Sequence, residues 1–476
     1  MSTQMSDIEK DYAGSNGPET STVPVGEGKY DIDDAQYDAV FGAQEEGHVN
    51  YRSVGWLKAT IIMLKTIIAL GVLAMPTVLS ATGGVPGALI IFVIGLLTTW
   101  TGNVVGQFKR NHPEVYSMDG VGYVLAGKWG REFYSVAYPA FMIFLSGSGF
   151  VAISIAFNAV TTHATCTVAW VVVAMVGTFA LASIQTLNKV SILGWIGFVS
   201  VMAAILIITI AVGIQDRPSA APQVGPWDKD ISAFNSAGTF LGGMGAVCTV
   251  VFSYSGTPAF LNVVGEMRKP TDYNKALYWC QSIVTATYLT IGIVVYYFCG
   301  QYLANPALGS AGVIVKKVAY AVALPGLFVS VTIYTHVGAK MIFVRLLRGT
   351  DHLTSHSFVH WAVWLGTVGG CVAISFILAE SIPFFGDLVN LIGATLGTLM
   401  CMVTEGWMWL HDNWDRRHTD KSLYYRALVV LNVFLIVAGI FIMITGTWSA
   451  ALSIKTSYSA GTISSPFSCA DNSNSV

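Results

Sequence analysis

The sequence predicts an all-α polytopic membrane protein of about 11 transmembrane helices, arranged as a five-plus-five inverted repeat with one extra helix. Three observations lead there. Of the 476 residues, 54% are hydrophobic and only 11% charged, whereas soluble proteins carry about 25% charged residues. Mean hydropathy is correspondingly high, at +0.60. The apolar residues are gathered in continuous runs of about twenty, the length that takes a helix across roughly 30 Å of hydrocarbon. Two of those runs, the first and the sixth, are interrupted by residues that weaken a helix. Continuous apolarity without strand-like alternation makes the spans helices rather than barrel strands.

Residues 1–55 hold eleven Asp/Glu and three Lys/Arg, too polar a mixture to bury a core, and read as a disordered acidic tail. The spans follow near 56–79, 84–107, 132–157, 167–186, 190–213, 238–264, 274–299, 318–346, 358–379, 383–410 and 424–447. In the membrane domain 56–447, the first repeat covers about 56–213 and the second about 238–410, with 424–447 as the extra helix. Residues 448–476 form a polar tail.

Lys and Arg accumulate in cytoplasmic loops. With the N-terminus inside, nineteen of the 25 Lys/Arg fall in cytoplasmic segments; Arg217, Lys229, Lys316, Lys317 and Lys455 fall outside, and Lys65 lies within the membrane. The bias puts the N-terminus in the cytoplasm and the C-terminus outside. A net charge of -2, with no basic run, leaves no electrostatic footprint for nucleic acid. The start MSTQMSDIEKDYAG lacks the basic head and apolar core of a signal peptide, so the first span directs insertion. Seven cysteines show no C-x-x-C pair or metal-ligand spacing. Cys166 and Cys469 both face the oxidising exterior in this topology, where pairing is open to them but not fixed by the sequence.

The first interruption reads KTIIALGVLAMP (65–76), with Gly71 and Pro76 inside the span. The sixth span reads VVFSYSGTPAF (250–260), with Ser253, Ser255, Gly256, Thr257 and Pro258 together. They stand five spans apart, so the two spans run in opposite directions, as an inverted repeat requires. Paired breaks in corresponding halves point to a solute site at the bilayer midplane. Their unwound backbone offers amides and carbonyls, and helix N-termini favour a carboxylate. The GxxxG pairs Gly102/Gly106, Gly366/Gly370 and Gly393/Gly397 are read as close helix packing.

Over about residues 48–447 the wording resembles the amino acid/auxin permease family, and within it the fungal neutral amino acid permeases. YRSVGWLKATIIMLKTIIALGVLAMP (51–76) is similar to that family's opening helix, and FSYSGTPAFLNVVGEMRKPTDYNKAL (252–277) to its sixth helix and following loop. The eleven-span count agrees. One departure is Ala69, where the family's opening motif has its first Gly; a Cβ there delays unwinding or narrows the pocket. The resemblance implies the fold of the wider amino acid, polyamine and organocation transporters, with substrate held between segments one, three, six and eight. Residue by residue it points to Ala69, Gly71, Val72, Ser146, Phe150, Tyr254, Ser255, Gly256 and Thr332. It also implies secondary active uptake, coupled to protons rather than sodium.

Coupling candidates are the polar residues at the same depth. Lys65 lies nine residues past Trp56, about 13 Å into the bilayer, where a charge must face protein or water. The expectation is a structural or gating role, paired with Glu405 or Glu266, with a direct proton role as the alternative. Thr332, Thr335 and His336 in the eighth segment lie level with Ala69, about 18 to 20 Å from the cytoplasmic end. An imidazole titrates near neutral pH, so His336 is a candidate to carry the proton, the alternative being a neutral imidazole hydrogen-bonded between helices. Aromatic and small residues at Phe144, Ser146, Phe150, Phe252 and Tyr254 suit a neutral side chain, and no acidic residue stands beside either break to hold a cationic one.

Enzyme readings lack their chemistry. His352, His356 and His360 recur every four residues but stand alone as a histidine box. His411 and Asp415 in HDNWD are one residue short of an acyltransferase pair and read as a solvated loop. No G-x-S-x-G or P-loop lies in a cytoplasmic segment. No catalytic residue, metal or cofactor is expected. The expected function is import of neutral amino acids by proton symport with alternating access, in the plasma membrane. Alternatives are a vacuolar amino acid carrier and a non-transporting nutrient sensor. Lys10 and Lys29 in the tail offer ubiquitin sites to a ligase adaptor.

Overall fold

The computed structural model describes residues 54–68, 71–184, 187–218, 220–235, 238–347, 350, 352, 357–459 and 465–473. It also shows a short antiparallel pair, Tyr37–Asp38 with Gly42–Ala43. The acidic tail otherwise lies outside the described residues, as do Ala69 and His356.

The first span is two half-helices, α1 (Trp56–Ile67) and α2 (Met75–Thr82), with a 3-10 turn at Gly71–Ala74 leading into α2. The two halves are bent by 46°. Next come α3 (Gly84–Asn111), α4 (Met118–Thr161), α5 (Thr167–Ala182) and α6 (Leu187–Ile214). The sixth span is again two halves, α7 (Phe240–Tyr254) and α8 (Phe260–Glu266), separated by a 3-10 turn at Thr257–Ala259. Helices α9 (Tyr273–Cys299), α10 (Val313–Leu347) and α11 (Phe358–Ser381) follow. The tenth span joins α12 (Phe385–Ile392) to α13 (Glu405–Asn413) through π-helical turns at Gly393–Gly397 and Leu399–Thr404. Helix α14 (Leu423–Ser459) closes the series.

Among the described residues, nine helices are long and apolar enough to cross a membrane, and the bent first pair makes a tenth. Helix α5, at 16 residues, fills the eleventh place. The expected spans all recur, but several helices run past them. Helix α4 begins at Met118 rather than 132, turning at Gly127, where a φ of +61° suits a residue without Cβ. Helix α14 continues to Ser459 rather than 447, so Lys455 is helical.

Apart from α6, which packs mainly on α10 and also on α1 and α9 and so bridges them, packing divides the spans into two groups. Helices α1, α2 and α3 pack on α9, and α2 and α3 also pack on α7, joining spans one, two, six and seven. Helices α4 and α5 pack on α10 and α11, joining spans three, four, eight and nine. Of the nine membrane-length helices, those of spans three and six are the most enclosed, whereas α14 is the least and turns Val430, Phe434, Val437, Phe441 and Ile444 outward. That is the pattern expected of a peripheral helix facing lipid.

Small residues let these helices approach. A Cβ on Gly102 or Gly106 would strike Leu277 or Tyr273 of α9, and one on Gly393 would strike the Cys248 carbonyl of α7. Packing therefore accounts for these three, as the sequence suggests, while Gly366 and Gly370 face open space. Gly83, with φ +93°, makes the tight turn into α3.

Cys166 and Cys469 are joined by a disulfide, which settles a pairing that the sequence left open. The segment 465–473 is thereby tied across the ends of α4 and α5. The Asn472 amide donates to Ser154 Oγ (2.9 Å), its carbonyl accepts from Asn158 Nδ2 (2.9 Å), and Thr167 Oγ1 donates to the Ala470 carbonyl (2.7 Å). Denatured without reductant, the seven-cysteine chain should present five alkylatable thiols, and all seven after reduction, by intact mass. Seven in both conditions would refute the bridge.

Candidate functional site

The two breaks face each other in the middle of the fold. A Cβ on Gly71 would lie 2.5 Å from both Cα and Cβ of Ser253, so glycine is what lets the first span touch the sixth. Breaking a helix in an apolar setting strands backbone groups that water would otherwise satisfy. Tyr288 of α9 answers this: its hydroxyl is shared between the carbonyls of Ile67 (3.0 Å) and Ser253 (2.9 Å), one from each broken span. The Gly256 amide turns back onto the Tyr254 carbonyl (2.8 Å) and is therefore already engaged. The second half of the first span starts at Gly71, so its leading amides and its positive dipole end belong to the break.

A cavity of about 70 Å³ opens at this junction. It is lined by Lys65, Thr66, Ile67 and Gly71 of the first span and by Phe252, Ser253, Ser255, Gly256, Pro258 and Ala259 of the sixth. The third span adds Tyr138, Phe141, Met142 and Leu145, and the eighth adds Ser330, Ile333, Tyr334 and Val337. These are the four segments that the sequence resemblance points to. The third- and eighth-span residues each follow an i, i+3, i+4, i+7 spacing, one face of a helix. That stripe was open to reading in the sequence, but both helices are apolar nearly all round, and periodicity alone does not say which face turns inward.

The sequence candidates divide accordingly. Lys65, Gly71, Ser255 and Gly256 are on the cavity wall. Val72 and Phe150 are buried off it. Ser146 shares a hydrogen bond with Thr335 (3.0 Å), tying span three to span eight. Tyr254 donates to Thr285 Oγ1 (3.0 Å) and packs edge-on against Tyr288. Thr332 is buried with its hydroxyl unpartnered and does not line the cavity. His336 points to the seam with spans four and nine, its Nδ1 3.3 Å from the Ala182 carbonyl and its ring edge-on to Trp364.

The expected ion pair of Lys65 is corrected by the structure. Its ammonium donates to Ser330 Oγ at 2.6 Å, and Ser330 in turn donates to the Gly326 carbonyl (2.8 Å). Glu266 lies instead by Tyr116 and Lys340, and Glu405 by Thr101 and Thr257. The sequence places both carboxylates toward the cytoplasmic half of the membrane but does not say which way their helices turn, and the packing turns both away from Lys65. The HDNWD segment is likewise helical rather than a loop, and His411 and Asp412 on it face His112.

Two broken helices meeting at a central cavity define a multi-pass membrane protein of the transporter class. The profile described as "Transmembrane amino acid transporter protein" matches residues 52–452, and the chain belongs to that family. It is 33% identical to the N amino acid transport system protein of Neurospora crassa, over 90% of each chain. It is 37% identical to a transmembrane transporter of Fusarium pseudograminearum, covering 98% of this chain and 97% of that one. Amino acid transporter AVT1C of Arabidopsis thaliana is 22% identical, over 84% of this chain and 70% of that one. Among solved structures, Mhp1, a nucleobase-cation-symport-1 family transporter in a closed conformation with bromovinylhydantoin bound, is similar with a TM-score of 0.52. It covers 90% of this chain and 97% of that one at 12% identity, and so bears on the fold alone, a five-plus-five inverted repeat.

Because Tyr288 serves a carbonyl on each broken span, Tyr288→Phe should strand both. The cost should be about 1–3 kcal/mol per group left unsatisfied, read as a lower melting temperature of the purified protein together with reduced uptake. An unchanged melting temperature would mean that the carbonyls have other partners.

Proposed function

We propose that the protein imports neutral amino acids with aliphatic or aromatic side chains by proton symport, through alternating access. The observation that carries this is the composition of the cavity wall: among the described residues it holds aromatic and aliphatic side chains and hydroxyls, no carboxylate, and Lys65 as its charged group. A cationic side chain would find no counter-charge there, and an apolar one is well matched. The substrate carboxylate belongs at the N-terminal end of the half-helix starting at Gly71, where amides and dipole favour an anion. This refines the expectation for Gly256, whose amide is engaged with Tyr254.

Lys65 is the coupling group in this reading. As an ammonium it holds Ser330 by a charge-assisted hydrogen bond; as an amine it holds that hydroxyl less strongly, and the change of charge falls on the cavity wall beside Gly71. The ion pairs among the described residues, such as His112–Asp412, Arg345–Glu132 and Arg416–Asp420, do not include it. His336 remains the rival, with its Nε2 unpartnered but its ring away from the cavity. The charge bias further supports a cytoplasmic N-terminal face. We take the repeats as about 56–213 and 238–410, and the plasma membrane as the site.

In proteoliposomes an inward proton gradient should drive accumulation of labelled neutral amino acids, and a protonophore should abolish it. Accumulation that follows sodium at fixed pH would overturn the coupling, and transport confined to lysine or arginine would overturn the substrate class. Imaging of the tagged protein should show the cell surface; a vacuolar rim would select the other membrane.

Lys65→Met keeps the side-chain stem, so it should retain exchange while losing accumulation against a gradient. His336→Ala should keep the pH dependence and lower the melting temperature, since it removes a contact with Ala182 and packing against Trp364. The crossed result would transfer the proton to His336.

A further inference from the structure

A second constellation lies far along the chain from the cavity, where α3 and α13 end together on the face that carries Trp56. His112 caps α3, and its Nε2 sits 2.8 Å from Asp412 Oδ1 of α13. His411, the preceding residue on α13, brings Nδ1 to 3.3 Å from the same oxygen. One ligand atom from each of the three residues lies within 4.8 Å of the others. Around a tetrahedral zinc, with bonds of about 2.0–2.1 Å, neighbouring ligand atoms stand about 3.3 Å apart. The three atoms are thus gathered closely enough that small side-chain adjustments would bring them to those separations.

Outer contacts orient two of the three ligands. Glu114 Oε1 lies 3.6 Å from His112 Nδ1, the nitrogen that would not bind metal. At that distance the carboxylate attracts the Nδ1–H and favours the tautomer that leaves Nε2 toward an ion. Asn111 Nδ2 donates to Asp412 Oδ2 at 2.9 Å, leaving Oδ1 toward the histidines. An ordinary ion pair between His112 and Asp412 would need neither His411 nor the second carboxylate. Without metal the cluster is such a pair: burial disfavours the charge on His112, but hydrogen bonds to Asp412 and Glu114 hold its pKa at about 9.

We propose that His112, His411 and Asp412 form a binding site for a divalent transition-metal ion of the zinc class, with Glu114 and Asn111 as orienting residues. Two imidazoles and one carboxylate suit zinc, and water completes the fourth position. The ion would join the end of the second span to that of the tenth and hold α3 against α13. The site stands apart from the cavity and does not depend on which substrate is carried.

The test uses full-length protein purified in detergent, with Zn²⁺ titrated by calorimetry and Co²⁺ as the absorbing probe. Wild type should bind one ion saturably and melt at a higher temperature with Zn²⁺. His411→Ala, which leaves the His112–Asp412 contact in place, should weaken binding at least about tenfold and lose the thermal shift, and Glu114→Gln should weaken it by about tenfold. Asp412→Asn should abolish binding; should that variant fail to fold, His411→Ala alone decides. His352→Ala should bind as wild type does. The proposal is overturned by no saturable binding, by unchanged affinity in His411→Ala, or by affinity lost in His352→Ala instead.

Discussion

The structure turns on one difficulty, backbone polar groups left without helical partners in the middle of an apolar fold, and on the tyrosine hydroxyl that meets it. An unsatisfied carbonyl in such surroundings costs several kcal/mol by the standard of amide transfer. Tyr288 stands on a continuous helix, α9, and gives one hydroxyl to both breaks. Because the two carbonyls share it, the first and sixth spans are held at a fixed separation. Gly71 then sets how small that separation is, by presenting no Cβ to Ser253. The cavity is what remains beside this contact, and its walls follow from which faces of α4 and α10 the crossing leaves in view.

Much of this was legible in one dimension. Spans are a matter of length and apolarity, and the eleven runs in the sequence match the helices found. The breaks were legible because Gly, Ser and Pro weaken helices wherever they occur. What the sequence did not disclose was rotation. Ser146, Phe150 and Thr332 are on helices that line the cavity, but about a quarter of a turn or more from the centre of the faces that line it. Amphipathicity normally reports that angle, and helices buried on most sides carry little of it. Helix extensions such as 118–126 were missed because a nine-residue stretch holding an aspartate and two glycines is too short an apolar run to announce itself.

The partner of Lys65 was missed for a related reason. A rule that a buried cation seeks a carboxylate looks for charge, whereas the structure supplies a hydroxyl. Ser330 commits its own proton to Gly326, so its lone pairs face the ammonium. A hydroxyl partner is a weaker hold than a carboxylate. A lysine fastened this loosely beside the contact of two breaks is suited to change its protonation with the state of the cavity. A lysine locked to Glu405 would not be.

How the spans are fastened at their ends bears on how such a cavity opens. On the face carrying Trp56, the Val54 amide donates to the Glu266 carbonyl (3.1 Å) and the Arg268 amide to that of Val54 (3.0 Å). Lys275 rests over the Trp56 ring at 4.1 Å. These contacts tie the start of the first span to the end of the sixth and the start of the seventh. On the other face, the disulfide and Asn472 tie the C-terminal segment to spans three and four, and Lys316 donates to the Ser473 carbonyl from span eight (2.6 Å). Each set of fastenings stays within one of the two packing groups. Fastenings that respect the division leave the boundary between the groups as the place where relative motion costs least, and the cavity lies on that boundary. The proposed alternating access is then a shift of one group against the other across the cavity, where the Lys65–Ser330 bond joins them.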